Sequence, residues 1–264
     1  MEYLIYAALK KYKRMKPVRF HMPGHKADKK RFPFFKDAAY DITELSFADC
    51  LENPDGIIAA AESDIADILG AKKSFILTDG SSSGIFAMLY AVKGRGGKVV
   101  IARGAHRSVY TACAVLGIEP YVLKGNVLGG VSLPPTAAEI EDVFKKEKDV
   151  SAVLVTSPDY YGNISDYPAL RRICDRYGKL LLVDGAHGAY LRFDPDDGGL
   201  YAGHYADIWV DGAHKTLPTL TQGAVLNVKK EELISAVREG CGIFRTTSPS
   251  YPVMACVEYG VKYL

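Results

Sequence analysis

Short apolar runs alternate with stretches of helical periodicity along most of the chain. Segments such as SFILT at 74–78 and KVVIA at 98–102 predict buried strands. Segments such as TAAEIEDVFKKE at 136–147 carry apolar residues at helical spacing and predict amphipathic helices. Strands that alternate with such helices indicate an α/β fold, in which a mostly parallel sheet has helices on both faces.

The same pattern predicts the remaining elements. Strands are expected at 119–123, 152–156, 179–183, 206–210 and 223–228, and helices at 1–15, 56–73, 85–92, 108–117, 167–178 and 231–239. A loop broken by Pro and Gly, RFHMPGHK, follows the first helix. We therefore predict an N-terminal helix and arm at 1–40 and a large domain at 41–264.

Polar segments follow several predicted strands: DGSSSG, ARGAHRS, TSPDYYGN, VDGAHGAY and VDGAHKT. In parallel sheets ligands bind beyond the carboxyl ends of the strands, so these segments are expected to meet at one edge. The pentapeptide VDGAH occurs twice, at 183–187 and 210–214, but its flanks do not align. A repeat architecture is therefore not supported, and the two copies are interpreted as two strand ends serving one site.

The DGSSSG segment lies between a predicted strand and a predicted helix. Its backbone N–H groups and the helix dipole favour an anion, and the hydroxyls of Ser81 and Ser82 add donors. A serine-rich capping turn is one alternative. Another is the nucleophile elbow of a serine hydrolase, because the segment fits G-x-S-x-G with Ser82 as nucleophile and with Asp184 and His214 as partners.

Asp184 lies within the first VDGAH copy, and Lys215 directly follows the second. A carboxylate after the apolar run KLLLV is costly to desolvate unless a cation or several donors hold it, although a strand-end cap would also explain it. Taken alone, Lys215 is expected to be an ordinary surface lysine. Crowded surroundings would lower its pKa and favour the uncharged amine that forms Schiff bases. Pyridoxal 5'-phosphate satisfies the anion site, the carboxylate and the lysine together.

These motifs carry a family resemblance. The stretches FHMPGHK, DITEL, TDGSSSG, ARGAHRSVY, VDGAHGAY, DGAHKTLPTLTQGA and TSPSYPVMA are spread over nearly the whole chain. In this order they resemble the large domain of the Orn/Lys/Arg decarboxylases. That family uses pyridoxal phosphate and has the aspartate-aminotransferase fold, fold type I. The resemblance implies decarboxylation of lysine, arginine or ornithine to the amine and carbon dioxide.

The resemblance also implies roles for individual residues. Lys215 is expected to bond covalently to the cofactor and Asp184 to pair with the ring nitrogen. His106 is expected to stack on the ring, while Ser81 and Ser82 hold the phosphate.

Further members of the expected site surround these. Ala186 is expected to pack against the other face of the ring, His214 to lie close to the cofactor and assist proton transfer, and His187 to border the ring or substrate. The family forms dimers with active sites at the interface. In such a homodimer Thr247 and Ser248 are expected to contact the neighbour's phosphate.

Three departures from the family pattern affect these expectations. Gly212 stands where a serine is common and removes one phosphate hydroxyl. Asp79 stands where asparagine is common, and its carboxylate is expected to turn away from the phosphate. The chain ends at YGVKYL, whereas relatives continue, so we expect the small C-terminal domain to be absent. A noncatalytic cofactor-binding fragment or shortened relative is therefore the alternative, and a hydrolase is less favoured because it leaves Lys215 without a role.

Composition limits the classes of binding partner and the cellular compartment that are expected. A net charge of +2 gives no case for nucleic acid, and no apolar stretch approaches the length of a membrane helix. Five cysteines without C-x-x-C spacing favour a reduced, cytoplasmic setting. No metal site is expected, because Pro23 and Gly24 separate His21 from His25. Tyr160 and Tyr161 are interpreted as packing residues.

Overall fold

A seven-stranded sheet forms the centre of the computed structural model, which describes residues 2–196 and 198–263. Its strands, in spatial order, are β1 (Lys73–Leu77), β9 (Ala224–Val228), β8 (Ile208–Asp211), β7 (Leu180–Gly185), β6 (Val150–Thr156), β2 (Lys98–Ala102) and β3 (Glu119–Leu123). Only β9 runs antiparallel to its neighbours in this sheet. A separate small hairpin contains β4 (Val127–Leu128) and β5 (Val131–Ser132). The prediction of a mostly parallel sheet is confirmed.

Helices cover both faces of the sheet, as predicted. One layer contains α3 (Ser81–Val92), α4 (Arg107–Leu116) and α8 (Ile234–Phe244). The other contains α1 (Leu4–Met15), α2 (Ile57–Leu69), α5 (Ala137–Lys146), α6 (Tyr167–Tyr177) and α9 (Tyr251–Tyr263). A single turn, α7 (Ala213–Thr216), follows β8. Met1, the first residue of the predicted first helix, lies outside the described residues.

The central strands are apolar because both of their faces are buried. Every residue of β7 is buried, and so is every residue of β6 before Thr156. Neighbouring residues of a strand point to opposite faces, so each strand supplies side chains to both helical layers. Helices α4, α5 and α6 begin at side-chain caps, and at α5 Thr136 and Glu139 form a capping box.

Helix α9 closes the layer that contains α1. The carboxylate of Glu258 on α9 accepts the backbone N–H groups of Leu4 and Ile5 at 2.7 and 2.8 Å, and thereby caps α1 from another helix. The ammonium group of Lys262 lies 2.9 Å from Glu258 and 2.6 Å from Asp64. The buried pair of Glu258 and Lys262 thus links α9 to α1 and, through the partly exposed Asp64, to α2.

The sheet directs the predicted polar segments to one edge. The carboxyl ends of β1, β2, β6, β7 and β8 lie there, and antiparallel β9 begins there. Within the described residues, no helix combines the length and apolar character that crossing a membrane requires.

Candidate active site

A cavity of about 330 Å³ opens at this edge of the sheet. Its walls contain every predicted site residue except Thr247 and Ser248. The lining residues are Gly80, Ser81, Ser82, Ile85, Gly104, His106, Ser108, Thr156, Tyr160, Asp184, Ala186, His187, His214, Lys215, Thr221 and Gln222. The fold therefore brings together side chains that the sequence separates by more than a hundred residues.

The amino end of α3 forms one wall of the cavity. Gly80 precedes the helix with a φ of 80°, a conformation that favours glycine, and its N–H donates to the Gln222 carbonyl at 2.8 Å. The hydroxyl of Ser81 is buried and has no hydrogen-bond partner among the described residues, while Ser82 is exposed. Free helix N–H groups beside an unpartnered hydroxyl are the features of an anion site.

Asp184, at the end of β7, lies on the cavity wall with a side chain that is almost fully buried. Burial raises the pKa of its carboxyl, and the N–H of Ala186 at 3.3 Å and the nearby charge of Lys215 oppose that rise only in part. Next to it on β6, the Thr156 hydroxyl has no hydrogen-bond partner among the described residues. A carboxylate in this position favours a cationic or N–H group inside the cavity.

Lys215 extends into the cavity from α7. Its Nζ lies 3.0 Å from Nε2 of His187. Burial lowers the pKa of the His187 imidazole, and the charge of Lys215 lowers it further. No carboxylate in the described parts of the chain lies within ion-pair distance of the Lys215 amine. The amine is thus available to a ligand.

Two further histidines border the cavity in fixed orientations. Nδ1 of His106 accepts the backbone N–H of Ser108 at 3.3 Å and lies 2.8 Å from its hydroxyl, so the ring caps α4. His214 directs Nδ1 to the carbonyl of Gly223 at 2.9 Å. In both rings Nδ1 is engaged and Nε2 is left for a ligand.

The aspartate of the second VDGAH copy has a different position. Gly185 pairs with Asp211 in the sheet, and Asp184 pairs with Val210, so the two copies are offset by one residue. Asp211 therefore points to the opposite face, where Oδ2 accepts hydrogen bonds at 2.8 to 3.0 Å from Tyr201, Trp209 and Asn227. Burial raises the pKa of Asp211 to about 7.

Gly212, the position where the family commonly has serine, lies against the backbone of the other copy. A Cβ atom at this position would overlap the carbonyl oxygen of Ala186 and would lie 3.1 Å from the hydroxyl oxygen of Ser81. Glycine therefore allows the two strand ends to approach each other, and Ser81 is left as the buried hydroxyl on this side of the cavity.

Thr247 and Ser248 do not line this cavity, and both are exposed. Their expected contact is with a neighbouring chain, and it stays a prediction. The Asp79 carboxylate accepts the N–H of Thr246 at 3.0 Å, so it holds the Thr247 segment and does not line the cavity.

Several cavity residues were not predicted from the sequence, and the packing role of two tyrosines was predicted wrongly. Tyr160 and Tyr161 were expected to pack, but they are 81% and 65% exposed, so that prediction is wrong. Thr156, Ser108 and the pair Thr221 and Gln222 were not predicted. Thr156 follows the same rule as Asp184, because it ends the neighbouring parallel strand, and that rule could have identified it.

The catalytic triad of a hydrolase is not assembled. In such a triad an aspartate would orient Nδ1 of His214, but this atom is hydrogen-bonded to the Gly223 carbonyl. The Asp184 carboxylate accepts the Ala186 N–H instead. No cluster of three or more His, Cys, Asp or Glu side chains in the described ranges is arranged to hold a metal ion.

Solved structures share the fold. Lysine decarboxylase A from Pseudomonas aeruginosa superposes with a TM-score of 0.87 over 97% of this chain and 39% of its own, at 20% identity. The constitutive lysine decarboxylase of Escherichia coli gives 0.77 over 97% and 40%, at 25% identity. The aspartate-aminotransferase-like large-domain fold that the resemblance implied is confirmed.

Sequence comparison gives the family. The arginine decarboxylase of Bacillus subtilis (strain 168) is 31% identical over 98% of this chain and 55% of its own length, and that of Halalkalibacterium halodurans is 31% identical over 94% and 52%. The chain thus spans about half the length of the curated relatives it matches. The model of the Orn/Lys/Arg decarboxylase major domain matches residues 4–264, and the chain therefore belongs to that family.

Proposed function

We propose that the chain binds pyridoxal 5'-phosphate in the cavity and decarboxylates a basic amino acid: lysine, arginine or ornithine. One observation carries the proposal. The fold brings a poorly compensated buried carboxylate, an available lysine amine and an unpartnered hydroxyl at a helix amino end to one cavity: Asp184, Lys215 and Ser81.

The donor set fits this cofactor group by group. The amino end of α3, with Ser81 and Ser82 beside it, is suited to bind a phosphate. A protonated ring nitrogen is suited by Asp184, whose burial favours a charge-assisted hydrogen bond. An aldehyde is suited by the Lys215 amine, and the small side chain of Ala186 leaves room for a flat ring.

Each residue then has a task in the reaction. Asp184 keeps a proton on the ring nitrogen, and His106 covers one face of the ring and helps to exclude water. When bound, pyridoxal phosphate supplies an electron-accepting ring for the electrons left by departing carbon dioxide. Lys215 and His214 lie on the cavity wall, where they can return a proton to the α-carbon of the substrate.

Covalent trapping tests the cofactor site. The purified chain is incubated with pyridoxal phosphate, its absorbance is recorded, and the adduct is reduced with borohydride and mapped by peptide mass spectrometry. We expect one modified residue, Lys215, and no adduct in Lys215→Ala. Lys229→Met is the matched control. Burial lowers the pKa of the Lys229 amine, but this amine lies outside the cavity and donates to the carbonyls of Gly203 and His204. An adduct that persists in Lys215→Ala contradicts the site.

Assays with lysine, arginine and ornithine then separate catalysis from binding. Amine and carbon dioxide produced by the wild-type chain, and lost in Lys215→Ala, support the decarboxylase. The alternative is a noncatalytic cofactor-binding chain, because Lys215 could bind the cofactor covalently without any turnover. A Lys215 adduct without amine production from any of the three amino acids selects that alternative.

We also propose a homodimer in the cytoplasm. Exposed Thr247 and Ser248, held near Asp79 through Thr246, are suited to reach a neighbouring chain's phosphate. The free cysteines are consistent with a reduced compartment. Sedimentation equilibrium measures the oligomeric state, and absorbance titration measures cofactor binding, in the wild-type chain and in Thr247→Ala and Ser248→Ala. We expect an unchanged dimer with weaker cofactor binding.

A further inference from the structure

A short loop after β6 is held closed by Asp159. Oδ1 of this residue accepts the N–H groups of Tyr161 and Asn163 at 2.8 and 2.9 Å, and Oδ2 accepts the Asn163 side-chain amide at 2.8 Å. The Asp159 N–H donates in turn to the Asn163 carbonyl at 3.0 Å. The loop therefore presents Tyr160, between these residues, in a defined position at the mouth of the cavity.

The ring of Tyr160 is exposed and yet supported. It lines the cavity although 81% of the residue is accessible to solvent. The His187 ring lies 6.3 Å away at an interplanar angle of 77°, and the Tyr161 ring lies 5.3 Å away at 89°. An aromatic ring that is held at a cavity mouth without being buried is placed to contact a ligand.

The cavity offers no acidic partner to the basic side chain of a bound substrate. Among the lining residues that the structure describes, Asp184 is the only acid, and it is buried behind the position suited to the ring nitrogen. The basic groups on the same walls are Lys215 and three histidines. The nearby carboxylate of Asp159 already accepts three hydrogen bonds within its loop.

An aromatic face attracts a cation through its quadrupole, and tyrosine is among the better side chains for this contact. We propose that Tyr160 is a specificity-determining residue that holds the distal cation of a basic amino acid against its ring. This inference rests on the proposed function. It makes recognition depend on the charge of the substrate rather than on one shape, so that both an ammonium and a guanidinium group are accepted.

Two amines of equal carbon-chain length isolate the distal charge. Cadaverine and pentylamine are titrated into the cofactor-loaded chain, and their dissociation constants are obtained from the absorbance of the bound cofactor. We expect the wild-type chain to bind cadaverine about tenfold more tightly than pentylamine. Tyr160→Leu should bring the ratio close to one, whereas Tyr160→Phe, which keeps the ring, should preserve it. Tyr190→Leu, at an exposed tyrosine outside the cavity lining, is the control and should leave the ratio unchanged.

The outcomes separate this inference from the proposed function. If neither amine perturbs the wild-type spectrum, the proposed function fails and the inference fails with it. If the wild-type chain discriminates and Tyr160→Leu discriminates equally, only the inference is overturned. Equal binding of both amines by the wild-type chain overturns it as well. Circular dichroism of the Tyr160→Leu chain confirms that a lost ratio is measured on folded protein.

Discussion

The two VDGAH segments have the same sequence and opposite surroundings. In the first, Asp184 faces the cavity, and its Oδ1 accepts the backbone N–H of Ala186 at 3.3 Å. In the second, Asp211 faces the other layer of helices and accepts three side-chain donors. A one-residue offset between adjacent strands is sufficient for this, because neighbouring residues of a strand point to opposite faces.

The residue that follows each copy also differs for a spatial reason. Gly188 follows the first, and a Cβ there would lie 2.6 Å from the Pro158 ring. Lys215 follows the second and extends into the cavity. One copy thus contributes a carboxylate to the site and the other contributes an amine, and a local sequence match carries no information about which does which.

Removing the core aspartate should have the largest effect on stability. Asp211→Ala leaves the donors of Tyr201, Trp209 and Asn227 buried without their acceptor, and we expect a loss of about 3–5 kcal/mol in the free energy of unfolding. Urea denaturation measures this. Asp184→Ala, the matched change in the other copy, should cost clearly less, and equal losses would contradict the comparison.

The pH dependence of stability sharpens the same contrast. The pKa of Asp211 is raised from 3.8 to about 7 in the folded chain, so the folded state holds a proton that the unfolded state releases. The stability this contributes is fully present below about pH 4 and is lost as the pH rises to about 7, by about 3–4 kcal/mol.

Asp211→Asn removes this titration and provides the measurement. Relative to the wild-type chain, its free energy of unfolding should rise between pH 4 and pH 7 and then level off. Denaturation curves at several pH values check this. A difference that stays constant over the range would show that Asp211 does not titrate there.

The cavity aspartate should affect ligand binding instead. Asp184→Asn loses the charge that pairs with a protonated ring nitrogen, and we expect pyridoxal phosphate to bind about 10–100-fold more weakly. At pH 8 the ligand-free chain should not lose stability, because a neutral amide carries no buried charge. Equilibrium titration with the cofactor and urea denaturation test the two parts separately, and Asp211→Asn should leave the cofactor affinity unchanged.

The corresponding glycines of the two VDGAH copies, Gly185 and Gly212, give the smallest contrast. Gly212→Ala would force a methyl group into the Ala186 carbonyl, and we expect a loss of about 1–3 kcal/mol. At Gly185 the nearest atom to a new Cβ is the Val210 carbonyl oxygen at 3.1 Å, so Gly185→Ala should cost less. Thermal unfolding compares the two variants, and a larger loss at Gly185 would contradict the close approach described for Gly212.

Periodicity was sufficient to predict the layered fold. Apolar runs predicted every strand of the large sheet, because most of these strands are buried on both faces and have no polar alternation to obscure them. The antiparallel direction of β9 was not predictable, since a buried strand has the same composition in either direction. Helix α9 was missed, and its sequence contains Pro252 and Gly260, although a proline in the first turn is compatible with a helix.

Residues that line the cavity are predictable where residue type and strand end coincide. Lys215, Asp184 and Ser81 each end or follow a strand, and the fold brings all three to the cavity, while their roles stay predictions. The core position of Asp211 was not predicted, because strand register depends on pairing and not on local sequence. Tyr160 was misjudged because an apolar ring predicts burial, whereas the Asp159 turn holds this ring at the surface.

The cap that Glu258 places on α1 has a consequence for synthesis. The N–H group of Leu4 finds its carboxylate 254 residues later in the chain. On the ribosome, the first helix is made early and remains uncapped until almost all of this chain has emerged. Docking of α1 against α9 therefore has to wait until Glu258 has emerged, and until then the apolar stripe of Ile5, Leu9 and Tyr12 lacks its α9 partner.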